Sequence, residues 1–370
     1  MAEDVVFYLV IATALAFDFT NGFHDTANVV ATSISTRALP PRVAVAMAAI
    51  LNFVGAFISL EVAATVGKGI VEADFITLPI VFGGLIGAIT WNIITWYFGL
   101  PSSSSHALIG GVVGAAFAAE GGDAIISDGL LGKVAVPALV APTLAFLVAG
   151  ISILLCYRIV GRLRPGPVSS GFRAGQVISG GMLALAHGTN DAQKTMGVIV
   201  LALIAHGNIA ADDFHVPTWV VASAATAIAM GTYMGGWRII RTMGTRIIKM
   251  DTAQGFAAQG GGAAVILAAS HAGYPLSTTH TISGAVMGAG AARRLSAVRW
   301  GVAGNMLVAW VLTIPAAGAV GALVYGITRI FGEDSAIGPV LISGAILAGM
   351  AWTFARRLRR GSPISAAEAP

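Results

Sequence analysis

Charge is what this chain has least of. Only 10% of its 370 residues are Asp, Glu, Lys or Arg, against about 25% in an ordinary soluble domain. By contrast 56% are hydrophobic and the mean hydropathy is +0.83, which excludes a soluble globular protein and leaves an integral membrane protein. Cysteine is nearly absent too. Cys156 stands alone, so there is neither an intrachain disulfide nor a thiolate metal cluster. The first apolar run lacks a basic leader and a small-residue cleavage site, and reads as a membrane segment rather than a signal peptide. The net charge of +4 and pI near 9.5 imply no nucleic acid, because the Lys and Arg residues cluster in a few loops and there report topology.

Eleven apolar stretches begin near Val5, Val43, Ile76, Ala107, Val134, Ala174, Thr218, Ala253, Leu276, Gly301 and Val340, which predicts an all-α polytopic protein. The 47 glycines suit close helix packing and interrupted helices. Basic loops hold Arg37 and Arg42; Arg158, Arg162, Arg164 and Arg173; Arg238, Arg241, Arg246 and Lys249; Arg293, Arg294 and Arg299; and Arg356, Arg357, Arg359 and Arg360. Between them come acidic or mixed loops: Glu3 and Asp4, Lys68 to Asp74, Glu120 to Lys133, Asp212 and Asp213, Glu333 and Asp334. With the basic loops inside, the expected topology is a multi-pass protein of the inner (plasma) membrane, N-terminus outside and C-terminus cytoplasmic.

Two polar motifs interrupt the apolar pattern, and each occurs twice. Asn21-Gly22-Phe23-His24-Asp25-Thr26-Ala27-Asn28 aligns with His187-Gly188-Thr189-Asn190-Asp191-Ala192-Gln193-Lys194 at a constant offset of 166, pairing Asp25 with Asp191. Pro101-Ser102-Ser103-Ser104-Ser105-His106, followed by Gly110 and Gly114, aligns with Pro275-Leu276-Ser277-Thr278-Thr279-His280, followed by Gly284 and Gly288, at an offset of 174. The charge pattern makes the second copy of each motif run opposite to the first. The expectation is therefore two inverted repeats, residues 1–164 and 171–370, joined by a cytoplasmic linker at 165–170, with a transport site near the midplane between them. The stretch after Ala107 is short for a span, so Pro101 and Pro275 are also compatible with re-entrant hairpins.

Proline suits the first turn of a helix, where Ser and Thr hydroxyls join unpaired amides and the positive end of the helix dipole to make a cradle for a tetrahedral oxyanion. Ser102, Ser103, Ser104 and Ser105 make one such row and Ser277, Thr278 and Thr279 the other; the plainer alternative is that these hydroxyls bond back to their own helices. Asp25 and Asp191 would repel an anion unless they hold a cation or proton, and an acid inside a membrane is by default a pathway residue. Asp25 with Asn28, aided by unwound carbonyls, offers hard oxygen ligands for a sodium-like cation. Lys194 stands where the first copy has Asn28, and pairs with Asp191 or the anion unless it snorkels to the surface. His24, His106, His187 and His280 fall inside the motifs as candidate proton carriers or metal ligands, whereas His206, His215 and His271 lie near outer loops and receive no role. Gly110-x-x-x-Gly114 and Gly284-x-x-x-Gly288 are the spacing of close helix packing.

These four motifs, in this order over almost the whole chain, resemble the inorganic phosphate transporter (PiT) family. The resemblance implies an all-helical fold of two inverted repeats, phosphate held between two hairpin tips by the hydroxyl rows with Asn190 and Lys194, and uptake coupled to a proton or sodium ion through Asp25, Asn28, Asp191, His24 and His187. The match to the family's Gly-x-Asn-Asp-x-Ala-Asn signature is incomplete: His24 replaces Asn in the first copy, and Gln193-Lys194 replace Ala-Asn in the second. The Gln-Lys form is similar to the bacterial low-affinity, proton-coupled branch. No cofactor or resident metal is expected; a divalent metal travelling with phosphate and a homo-oligomer remain open. Sulfate is the rival anion, since the family includes sulfate permeases, and an anion channel is the rival mechanism. An intramembrane hydrolase is disfavoured, because no single serine is singled out and no Gly-x-Ser-x-Gly elbow occurs.

Overall fold

The computed structural model describes residues 2–332 and 335–359. Glu333, Asp334 and Arg360, counted above among the loop charges, lie outside the described residues, as does the tail beyond. The helices are α1 (Ala2–Ser35), α2 (Pro41–Gly55), α3 (Glu61–Lys68), α4 (Leu78–Phe98), α5 (Ser104–Glu120), α6 (Val136–Val160), α7 (Pro165–Ala205), α8 (Thr218–Met234), α9 (Thr252–His271), α10 (Thr278–Ala291), α11 (Trp300–Arg329) and α12 (Ile337–Arg359). Each apolar stretch coincides with one of them, and no strand occurs among the described residues beyond an isolated bridge between Val71 and Ile125. α3 carries little hydropathy signal because its eight residues begin with Glu61, end with Lys68 and include Thr65 and Gly67. Among the described residues four helical segments, Glu3–Ser35, Leu78–Phe98, Ser127–Val160 and Trp300–Arg329, are long and apolar enough to cross a membrane.

Two local expectations are corrected. α1 and α7 run unbroken through the acid motifs, so Asp25 and Asp191 sit on closed helices and no unwound carbonyls flank them. Pro101 and Pro275 precede their helices instead of occupying the first turn, because Ser103 and Ser277 are N-caps: their hydroxyls accept the amides of His106 at 3.1 Å and His280 at 3.2 Å. Residues 165–170, the expected linker, form the opening turns of α7, where proline's missing N–H costs nothing.

The buried apolar residues form two clusters, one around Val10, Phe17, Phe82, Leu108, Ile199 and Ile228, the other around Val30, Ala145, Ile153, Leu183, Ile240 and Ile282. α1 supplies Val6 to Phe17 to the first and Ala27 to Ala31 to the second, while α7 supplies Leu183 to Ala186 to the second and then Ala192 to Leu203 to the first. The two helices thus traverse the clusters in opposite order, and the acid motifs fall at the crossing between them. The hairpin α4–α5 puts its buried apolar residues into the first cluster, and the hairpin α9–α10 puts its own into the second.

Helix pairing is reciprocal. α1 packs on α8 and α7 on α2; α5 packs on α11 and α10 on α6. Glycine permits the close approaches. A Cβ at Gly22 would strike the backbone of Ile228 in α8, and one at Gly188 the backbone of Asn52 in α2. Gly110 and Gly114 meet Ile314 and Gly318 of α11, whereas Gly284 and Gly288 meet Pro142 and Phe146 of α6. Both small-residue pairs are therefore packing seams, as their spacing suggests.

Candidate functional site

The tips of both hairpins converge on the two acids. From α5, the Ser104 hydroxyl donates to Asp25 Oδ2 at 2.5 Å. From α10, Thr279 donates to Asp25 Oδ1 at 3.4 Å and Thr278 to Asp191 Oδ2 at 3.2 Å, while Asn28 Nδ2 donates to Thr279 Oγ1 at 2.9 Å. Lys194, 1% exposed, completes the centre: its ammonium donates to Asp191 Oδ1 and Ser105 Oγ at 2.5 Å each and to the Leu276 carbonyl at 2.6 Å. Lys194 is thus a buried ion-pair residue, not a snorkelling one. One acid from each helix and hydroxyls from each hairpin share a single polar centre, with the first-turn amides of α5 and α10 at the same tips.

Each acid also has a histidine. His24 Nδ1 lies 2.6 Å from Asp25 Oδ1, and His187 Nε2 lies 3.1 Å from Asp191 Oδ2. The outer nitrogen of each ring fixes the proton count. His24 Nε2 faces Thr95 Oγ1 at 3.1 Å, and that hydroxyl already donates to the Trp91 carbonyl and accepts from Ser102, so Nε2 must donate. His187 Nδ1 faces Asn52 Oδ1 at 3.2 Å, and the Asn52 amide is oriented by donating to Thr232 Oγ1, so Nδ1 must donate as well. A proton is therefore needed between His24 Nδ1 and Asp25, whereas His187 Nε2 stands beside Asp191 without a hydrogen bond to it. Asp25, His187 and Asp191 offer one ligand atom apiece, all within 4.8 Å of one another, near enough for a small cation to be held between them.

Other sequence-derived residues lie apart from this centre. Asn190 directs its amide to Ser270 Oγ at 2.8 Å and the Tyr274 carbonyl at 3.1 Å. Ser103 and Ser277 cap their helices, and Ser102 reaches the acids only through Thr95 and His24. Gln193 turns away to accept the first amides of α3, from Val62 at 2.8 Å and Ala63 at 3.1 Å, which accounts for a carboxamide there. His106 and His280 pack edge to face at 4.8 Å, with His280 stacked on Trp310 at 3.9 Å. Sequence reading passes over Thr95, Asn52, the Leu276 carbonyl and Asp18, a buried acid two helical turns before Asp25. The signal for Asp18 is its position in an otherwise apolar run, on the Asp25 face of α1.

A wholly helical chain with membrane-crossing helices and a buried acid, lysine and hydroxyl centre between reciprocal hairpins has the architecture of a multi-pass membrane transporter rather than an enzyme. The sequence profile of the phosphate transporter family matches residues 21–167 and 162–321. A probable low-affinity inorganic phosphate transporter of Mycobacterium bovis is 53% identical over 324 residues, covering 88% of this chain and 78% of the relative. Proteins so described are 51% identical in Rhizobium meliloti, over 85% of this chain and 94% of the relative, and 44% identical in Bacillus subtilis, over 86% and 95%. A solved structure described as the sodium-dependent phosphate transporter shares the fold, with a TM-score of 0.79 at 24% identity over 88% of this chain and 99% of that one. This chain belongs to the phosphate transporter family.

Proposed function

We propose that the protein takes up inorganic phosphate by proton-coupled symport, with alternating access around the Asp25–Asp191–Lys194 centre. The observation that carries this reading is the convergence of two acids, each beside a histidine, on the tips of two helices whose hydroxyls, first-turn amides and one fixed ammonium suit a tetrahedral oxyanion. With protons in place the acids no longer repel the anion; Ser104, Ser105, Thr278 and Thr279 turn their hydroxyls from carboxylate to phosphate. Release of the protons on the far side restores the carboxylates and expels the anion. Lys194 disfavours a second metal cation beside Asp191 by charge repulsion, which is why a proton is preferred to sodium as the driving ion.

The opposite order in which α1 and α7 cross the two clusters supports inverted repeats. Confinement of each hairpin to one cluster supports re-entrant hairpins; at 1.5 Å per residue the 14 residues of α10 reach about 21 Å, short of a bilayer core of about 30 Å. The basic loops support a cytoplasmic C-terminus. Radiolabelled phosphate uptake into proteoliposomes, with pH and sodium gradients imposed separately, tests the reading. A pH gradient alone should drive accumulation; accumulation that needs sodium and ignores pH would move the coupling to a cation at Asp25, and preference for sulfate would change the substrate.

A further inference from the structure

Asp18 belongs to neither duplicated motif, and its position 166 residues on is Ala184. It is fully buried, and neither carboxylate oxygen makes a hydrogen bond. Beside it stand the Thr195 hydroxyl of α7 and the Asn21 carboxamide of α1; the Thr195 oxygen and the Asn21 carboxamide oxygen are also buried without a partner. The charged groups facing Asp18 are Asp191 and Lys194, both on α7. α4 and α8, the other helices packed most closely along α1, carry no charged side chain, and their tyrosines Tyr97 and Tyr233 are exposed.

An ionised carboxylate in this position needs a counter-charge. Lys194 does not provide it, since its three N–H bonds are committed to Ser105, Asp191 and the Leu276 carbonyl. A bridging water would supply donors but no charge. A proton on Asp18 removes both difficulties: the neutral acid requires no counter-ion, and its O–H can donate to the unpartnered Asn21 oxygen while its carbonyl oxygen accepts from the Thr195 hydroxyl.

We propose that Asp18 is a further proton-carrying site, distinct from the His24–Asp25 and His187–Asp191 pairs, which holds its proton while α1 and α7 close over it and yields it to water when they part. The proposal rests on the proton-coupled reading above and adds a third acid to it. Because Asp18 makes no hydrogen bond to either hairpin tip, its proton travels with the conformational change rather than with a phosphate ligand.

Infrared spectroscopy of the full chain in lipid tests the proton without any substrate. At neutral pH the parent should show the carbonyl stretch of a protonated buried carboxyl, Asp18→Asn should lack it, and Asp18→Glu should restore it at a shifted frequency. In vesicles holding a pH dye, Asp18→Asn should carry one proton fewer per phosphate than the parent, with Asp18→Glu regaining it. Should Asp18→Asn not fold, Thr195→Val must shift the parent's band, since it removes a hydrogen-bond partner of the acid. Absence of the band in the parent, its persistence in Asp18→Asn, an unmoved band in Thr195→Val, or its loss on adding sodium at constant pH would each overturn the proposal. A parent that shows the band yet takes up no phosphate would instead defeat the phosphate reading and leave the protonated acid standing.

Discussion

At the scale of single residues, the centre separates groups that hold the anion from groups that hold protons. Ser104→Ala or Thr278→Ala should weaken phosphate binding by about 0.5 to 3 kcal/mol, the range between an ordinary hydrogen bond and one to a charged group; equilibrium binding of radiolabelled phosphate measures it. Asp25→Asn should abolish driven uptake while leaving the fold intact. Asp191→Asn should abolish it too, and in addition lower the thermal unfolding temperature, because Lys194 is left buried without its counter-charge at a cost of about 3 to 5 kcal/mol. Asp191→Asn combined with Lys194→Met should recover the stability and not the transport, and a thermal melt beside a transport assay separates the two effects. Lys194→Asn alone should admit sodium dependence that the parent lacks. These residues were legible in the sequence because the motifs repeat, so that Asp25 predicts Asp191 and Ser104 predicts Thr278. Asp18, Asn52 and Thr95 were not. Each occurs once, and the bonds that give Asn52 and Thr95 a role join residues 135 and 71 apart in the chain, a separation no local pattern encodes.

At the scale of helices, hydropathy located the elements but misjudged their ends. Pro101 and Pro275 were plausible first-turn residues by composition, yet a serine two positions on made the stronger N-cap in both hairpins. The acid motifs looked like breaks because they are polar and contain glycine, but Gly22 and Gly188 serve contact between helices and leave the helix backbone intact. Gly188→Ala should therefore destabilise the protein by about 1 to 3 kcal/mol, since the new methyl group meets the α2 backbone, which has no room to yield. Gly304→Ala is the matched control. It lies inside α11 with open space around the position of a Cβ, and should raise stability by up to about 1 kcal/mol through helix propensity. Thermal unfolding in detergent compares the two, and a Gly188→Ala variant as stable as the parent would refute the close-packing argument.

At the scale of the whole molecule, the units of sequence and the units of packing differ. Each apolar cluster draws helices from both halves of the chain, so residues 1–164 expressed alone should bind no phosphate, whereas co-expression with 165–370 should restore binding. The reciprocal clasp of α5 by α11 also bears on how the protein is made. Gly110 and Gly114 emerge from the ribosome some 200 residues before Ile314 and Gly318, the backbone they are shaped to meet. At about 5 to 20 residues per second, that interval is on the order of 10 to 40 s. During it the first hairpin has left the ribosome without the helix that closes its groove, and membrane proteases or insertion chaperones have their longest opportunity to act on it. The last third of the chain therefore governs the survival of the first during biosynthesis, and truncations ahead of α11 should be cleared by quality control rather than accumulate as partly active protein.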